Sequence, residues 1–264
     1  MSNFITPNSA SWSKIEALEV GVFSSPVDLA RFAAETVVEH LRQILNKQGF
    51  ASVIFATGNS QIEFLKALKQ LEGIDWENIT VFHMDEYLGL SRDHPASFRR
   101  FIREKIETTF HPGHVNYLDG DALEPVKECD RYAGLLLSRP IDLCCLGIGE
   151  NGHIAFNDPA VANFDDSHRV KIVRLDEACR KQQVGEGHFP KLESVPNYAL
   201  TLTIPMLCSA KRMLCIVPEQ RKAAAVRAAL LGPVVPACPA SILRQKPQAT
   251  LLLDQASASD WSRG

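Results

Sequence analysis

Short apolar runs, often β-branched, alternate along the chain with longer segments whose apolar positions recur at helical spacing. Ala51–Ala56 (ASVIFA), Ile79–Met84 (ITVFHM), Ile141–Gly147 (IDLCCLG), Val170–Leu175, Tyr198–Ile204, Met213–Val217 and Thr250–Leu253 have the length and composition of strands. Between them, Pro26–Lys47, Gln61–Leu71, Ser97–Thr109, Leu123–Ser138 and Lys222–Leu231 read as helices. In Gln61–Leu71, for example, Ile62, Leu65, Leu68 and Leu71 share one face. IDLCCLG is apolar at successive positions, as in a strand covered by helices on both sides. The alternation predicts an α/β fold, a three-layer sandwich with a mainly parallel sheet. No linker, repeat or charge block divides the chain, so residues 1–18 read as a loose lead-in and residues 19–264 as a single α/β domain.

Composition narrows the function classes. The 264 residues are 45% apolar and 22% charged, the make-up of a soluble globular protein with a substantial core. Lys and Arg total 28 against 31 Asp and Glu, a net charge of −3, so neither nucleic acid nor a membrane surface is an expected partner. The longest apolar runs are of strand length, far below the roughly 20 residues that span a bilayer. Seven cysteines, odd in number and without a CxxC pair, read as buried reduced thiols of a cytoplasmic protein, with no metal site.

In parallel α/β folds ligands gather beyond the carboxyl ends of the strands, so the residues following each strand carry the candidate chemistry. After ASVIFA come Thr57, Gly58, Asn59 and Ser60. Gly58 permits a tight turn, Ser60 with Glu63 has capping-box spacing, and the exposed N–H groups of a first helical turn can receive an anion. The alternative is a plain connection, and no Walker lysine follows. After ITVFHM comes Asp85, where a partly desolvated carboxylate can act as a base; a solvated loop acid is the alternative. After IDLCCLG, three glycines (Gly147, Gly149, Gly152) surround His153, with Asn151 and Asp158 nearby. An imidazole there can serve as acid or base if a neighbour fixes its tautomer. The other seven histidines lack that setting and read as structural or surface residues.

These residues resemble the glucosamine-6-phosphate deaminase (isomerase) family, within the superfamily that includes 6-phosphogluconolactonase. The ordered elements that carry the likeness are Ala56-Thr57-Gly58, Met84-Asp85-Glu86-Tyr87, the run from Gly149 to Pro159, Tyr198-Ala199-Leu200-Thr201, Lys222-Ala223 and Pro239-Ala240-Ser241. The resemblance implies a modified Rossmann-like sandwich with no cofactor and no metal. It implies an amino sugar 6-phosphate as small-molecule partner and allows a homo-oligomer. The family reaction opens the sugar ring, moves a proton from C2 to C1 and expels the amine by hydrolysis. On that pattern Asp85 is the base, and His153 assists ring opening beside Asn151 and Asp158. Thr57, Gly58, Asn59 and Ser60 cradle the phosphate, with Lys222 as its point charge. Glu86 has no catalytic role assigned.

The chain departs from the family in three places. Well-studied deaminases have Asp at the position of Asn151 and Glu at that of Asp158, so the carboxylate–imidazole–carboxylate group keeps one acid. A phosphate-gripping arginine falls near Gln182 or Gln183, where Arg180 or Arg221 could substitute. Arg169 and Lys171 match an allosteric pair, but Val161 and Ala162 replace its small polar companions, so activation by an effector is not expected. A lactonase of the same fold and a non-catalytic sugar-phosphate regulator remain the alternatives. The polar segment Val161–Ser194, with Gly185 and Gly187 close together, is the one expected to move.

Overall fold

The computed structural model describes residues 10–261. An antiparallel hairpin, β1 (Ala10–Ile15) and β2 (Leu18–Phe23), opens the chain. It leads into α1 (Pro26–Gln48), which begins with Ser25 accepting the Asp28 N–H and Pro26 in the first turn, and stops at Gly49 with φ +78°. There follow β3 (Ala51–Phe55), α2 (Ile62–Lys69), β4 (Ile79–His83), β5 (Asp85–Tyr87) and α3 (Phe98–Ile102). A π-helical turn (Arg103–Glu107), α4 (Thr108–Phe110), β6 (His114–Asn116), α5 (Pro125–Leu137) and β7 (Leu143–Leu146) come next. The chain continues through β8 (Val170–Arg174), α6 (Glu177–Gly185), β9 (Tyr198–Leu202) and α7 (Ile204–Cys208). The last described elements are β10 (Met213–Val217), α8 (Ala223–Leu231) and β11 (Ala249–Asp254).

Eight strands form the main sheet in the order β1-β2-β11-β10-β7-β3-β4-β6, and every neighbouring pair except β1–β2 is parallel. Strand order reverses between β3 and β7, which creates a crevice at their carboxyl ends. Alternate side chains of each central strand enter two separate cores. Val53, Phe55, Leu143, Cys145, Leu214 and Ile216 pack with α1 and α2 on one face, while Ile54, Cys144, Leu146, Cys215 and Val217 pack with α5 and α8 on the other. This two-sided burial is what the doubly apolar strand pattern predicts, and the three-layer α/β architecture is present.

Several expectations need correction. The loose lead-in expected over residues 1–18 is a strand from Ala10, because Trp12 packs on Phe23 and Phe32 and its indole covers Gly21. The earlier part of that lead-in lies outside the described residues. The predicted helix Ser97–Thr109 is broken by the π turn, which keeps Ile102, Ile106 and Phe110 all buried. The predicted strand Ile79–Met84 ends at His83, where the chain leaves the main sheet. Its continuation, β5, pairs antiparallel with β9, which pairs with β8 in a second, three-stranded sheet. Ser60 is not the cap of α2. It lies within a 3₁₀ turn (Asn59–Gln61), and Gln61 precedes the helix without a side-chain cap.

The crossing from sheet to sheet is secured by Glu86, fully buried in β5. Its carboxylate accepts the N–H groups of Tyr87, Phe98 and Arg99 and the Ser97 hydroxyl, so it holds the start of α3. Arg99 adds its Nε at 3.3 Å and is itself held by Asp119 and Asp121. Burial pushes the Glu86 carboxyl up, and the amide and hydroxyl donors counter part of that shift. Glu86→Gln turns an –NH₂ group toward this set of donors. It is expected to cost about 3 kcal/mol, read as a lower midpoint in urea unfolding.

Candidate active site

The crevice opens into a hollow of about 80 Å³ at the carboxyl ends of four parallel strands. Thr57, Gly58, Asn59 and Ser60 line it from beyond β3, Asp85 from beyond β4, Gly147, Gly149 and His153 from beyond β7, and Lys222 from beyond β10. Residues Gln182, Gln183 and Glu186 of the α6 region close the far side. Asp85, His153, Thr57 to Ser60 and Lys222 therefore meet in one space. Asn151 and Asp158 stand behind His153 rather than on the wall.

Asp85 owes its position to His83. The His83 Nε2 accepts the Leu118 N–H at 2.9 Å, which leaves the proton on Nδ1 to be donated to the Asp85 carbonyl at 2.8 Å. Burial lowers the His83 pKa to about 4, so this ring stays neutral and structural. Asp85 is 6% exposed, and its Oδ1 has no hydrogen-bond partner. Desolvation, reinforced by the neighbouring Glu86 charge, holds the Asp85 carboxyl well above the usual carboxylate range. A buried carboxyl group with a bare oxygen facing a hollow is equipped to take and return a proton.

His153 is carried by a tightly folded loop. The Gly149 N–H donates to the His153 carbonyl and the Gly152 N–H to that of Gly149. Gly152 has φ +84°, and a Cβ on Gly149 would stand 2.2 Å from the imidazole. Asn157 ties the loop to β9 through the Leu202 carbonyl. His153 Nδ1 lies 3.1 Å from Asp158 Oδ1, close enough for ion pairing, but it is not aligned for a hydrogen bond. Asp158 accepts the Asn151 Nδ2 at 3.0 Å and the Asp176 N–H at 3.1 Å. Burial works to raise the Asp158 pKa, but His153, Asn151 and the Asp176 amide together hold it below the usual range.

Asn151 has a role beyond that of a weakened acid. Its Nδ2 bridges Asp158 and the Oδ2 of Asp176, at 2.9 Å, while its Oδ1 accepts the His153 N–H. Asp176, the N-cap of α6, is thus a second carboxylate behind His153 that sequence reasoning did not single out. The signal available was its place before the Glu177–Gly185 segment, a helix with a weak apolar face.

At the opposite end, Gly58 turns with φ +101°, placing Asn59 and Ser60 at the rim. Lys222 is nearly buried, and desolvation lowers its pKa while nearby carboxylates, Glu186 first, oppose the shift. Arg180 does not replace the missing arginine: its guanidinium binds the Leu192 and Val195 carbonyls. Arg221 reaches toward this end but pairs with Glu219 at 2.6 Å. Gln183 faces the hollow while its Oε1 accepts the Tyr87 hydroxyl and pairs with His188. The segment expected to move carries β8 and α6, and Val173, Leu175, Cys179 and Phe189 pack with Tyr87 in a third core.

Donor atoms of His153, Asp158 and Cys179 lie within 4.8 Å of one another. The set fits a cation poorly. Both Asp158 oxygens already accept hydrogen bonds, and burial keeps the Cys179 thiol well above its ordinary pKa and thus protonated.

A doubly wound sheet with a buried carboxyl and an imidazole facing one hollow at its switch point is an α/β scaffold of the enzyme kind. A sequence model of the family described as glucosamine-6-phosphate isomerases/6-phosphogluconolactonase matches residues 24–252, and the chain belongs to that family. It is 36% identical over 206 residues to a glucosamine-6-phosphate deaminase of Exiguobacterium sibiricum, covering 77% of this chain and 79% of that protein. A second deaminase, from Pseudarthrobacter chlorophenolicus, is 33% identical over 247 residues, 92% of each chain. Among solved structures, a monomeric glucosamine-6-phosphate deaminase superposes with TM-score 0.83 at 31% identity, covering 91% of this chain and 99% of that one. A 6-phosphogluconolactonase from Shewanella baltica superposes at 0.74 with 18% identity, a likeness of fold, covering 92% and 97%.

Asn151→Asp tests the bridge. The new carboxylate would face Asp158 and Asp176 with no intervening donor, so its pKa in the folded state rises above the unfolded value. Stability is then retained in acid and lost as pH rises, by about 2 kcal/mol at pH 7. Thermal unfolding of variant and wild type at pH 4.5 and pH 7 reads the difference.

Proposed function

We propose that the chain converts a 2-amino-2-deoxyhexose 6-phosphate to the ketose phosphate and ammonia, with glucosamine 6-phosphate giving fructose 6-phosphate. The observation that carries this reading is the bare, buried oxygen of Asp85 in the same hollow as His153. The deaminase relatives support the substrate class.

In this mechanism His153 exchanges a proton with the ring oxygen as the sugar opens. The Asp85 carboxylate removes the proton from C2 and delivers it to C1 while a proton passes from the nitrogen to O1, so the aldehyde becomes a C2 imine bearing a C1 hydroxyl. Water adds to C2, the C–N bond breaks, and the nitrogen leaves as ammonia with a proton from solvent. The desolvated site makes Asp85 a stronger base than an exposed carboxylate. Asp158 stabilises the His153 imidazolium as it forms, and Asn151 keeps Asp158 and Asp176 apart. Thr57 to Ser60 and Lys222 bind the phosphate end. No helix among the described residues is long and apolar enough to cross a membrane, and we place the enzyme in the cytoplasm, which suits its unpaired thiols.

Purified protein with glucosamine 6-phosphate is expected to release ammonia and fructose 6-phosphate in equal amounts. Turnover of 6-phosphogluconolactone alone would replace this reading with ester hydrolysis. Asp85→Asn is expected to lower kcat by about 10³-fold or more with little change in sugar-phosphate binding, since the amide keeps the shape and loses the base. Because the base must be ionised and its pKa is raised, the acid limb of the wild-type kcat/KM profile is expected above the ordinary carboxylate range, with activity falling as pH drops through it. An acid limb near pH 4 would contradict the role given to Asp85.

A further inference from the structure

The phosphate end of the hollow already contains an anion. Glu186 follows the last turn of α6, and its side chain is 7% exposed. Its backbone carbonyl accepts the Asn59 Nδ2 at 3.2 Å, which ties it to the turn after β3. Its Oε1 accepts the Gln182 Nε2 at 2.8 Å and lies 3.7 Å from Lys222 Nζ and 3.6 Å from Arg221 Nη1. These are the donors an incoming phosphoryl oxygen would use. Both cation distances exceed a direct hydrogen bond, so the two charges face the carboxylate without being locked to it. Arg221 is further shared with Glu219 and Glu150, whereas Glu186 is the one carboxylate within 4.0 Å of Lys222 Nζ among the described residues.

We propose that Glu186 is a specificity-determining residue: an internal anion that occupies the seat of the substrate's phosphate and competes with it for Lys222 and Gln182. The proposal rests on reading the Thr57–Lys222 end as the phosphate end. A phosphate dianion entering beside an ionised carboxylate is repelled, so the Glu186 side chain turns out as the phosphate turns in. The flanking backbone suits this exchange. Gly187 has φ +81°, and a Cβ at Gly185 or Gly187 would meet nothing within 4 Å, so packing does not account for glycine at either position. A sugar without phosphate does not displace Glu186. The residue therefore narrows the affinity gap between phosphorylated and unphosphorylated ligands, and only a well-placed phosphate overcomes it.

The test compares the full-length wild type with Glu186→Gln and Glu186→Ala, after thermal unfolding has shown which variants are folded. Calorimetric titration with inorganic phosphate is expected to show about ten-fold tighter binding in the variants. The KM for glucosamine 6-phosphate is expected to fall with it, while affinity for unphosphorylated glucosamine stays unchanged. Adding Lys222→Ala to Glu186→Gln is expected to abolish the gain. Equal or weaker phosphate binding in the folded variants overturns the proposal, as does an equal gain for glucosamine. If Glu186→Gln gains phosphate affinity but no form releases ammonia, the role of Glu186 stands and the deamination reading falls. Ammonia release with no gain in phosphate affinity overturns the role of Glu186 alone.

Discussion

Two neighbouring carboxyl groups, Asp85 and Glu86, are buried in one three-residue strand, and the site depends on how that cost is divided. Successive residues of a strand point to opposite sides. Glu86 turns toward the start of α3, where backbone amides, a hydroxyl and a guanidinium satisfy it. Asp85 turns into the hollow and keeps an oxygen with no partner. One acid is satisfied by a full set of donors, while its neighbour keeps a bare oxygen. Had the chain stayed in the main sheet at Met84, these two environments would not have been available side by side.

The rest of the hollow shows the same economy of charge. Behind His153 two acids are kept apart by an amide, and at the far end two cations are largely matched by acids of the same chain. Acids therefore outnumber cations around the hollow, and its cations already face carboxylates before a ligand enters. Its preferences come from the rearrangement of existing pairs more than from a standing positive field.

Much of this was legible in the residues. The doubly apolar strands announced a covered parallel sheet, the residues after the strands offered Asp85, His153 and the Thr57–Ser60 turn as candidates, and Lys222 came only with the family resemblance. Less visible were features that depend on distant partners. The antiparallel second sheet was hidden because Val170–Leu175 and Tyr198–Ile204 look like any other strands, and pairing is not written in local pattern. The hairpin at Ala10 escaped notice because its burial rests on Trp12 meeting Phe23 and Phe32. Glu186 lay in a polar, glycine-flanked stretch that suggested only mobility, and its meaning emerges once Gln182, Lys222 and Asn59 surround it. The Ser60 motif had the right spacing for a cap, but the turn tightened into a 3₁₀ form first.

The thiols of the central strands have a consequence of their own. Cys144 and Cys145 in β7 and Cys215 in β10 are wholly enclosed, and burial raises all three thiol pKa values. An alkylating reagent can reach them only when β7 and β10 separate from their helices, since the thiolate it attacks is suppressed while they remain packed. Their rate of labelling therefore clocks the opening of the strand that carries the His153 loop. The enzyme has a built-in chemical gauge of how often its central sheet breathes.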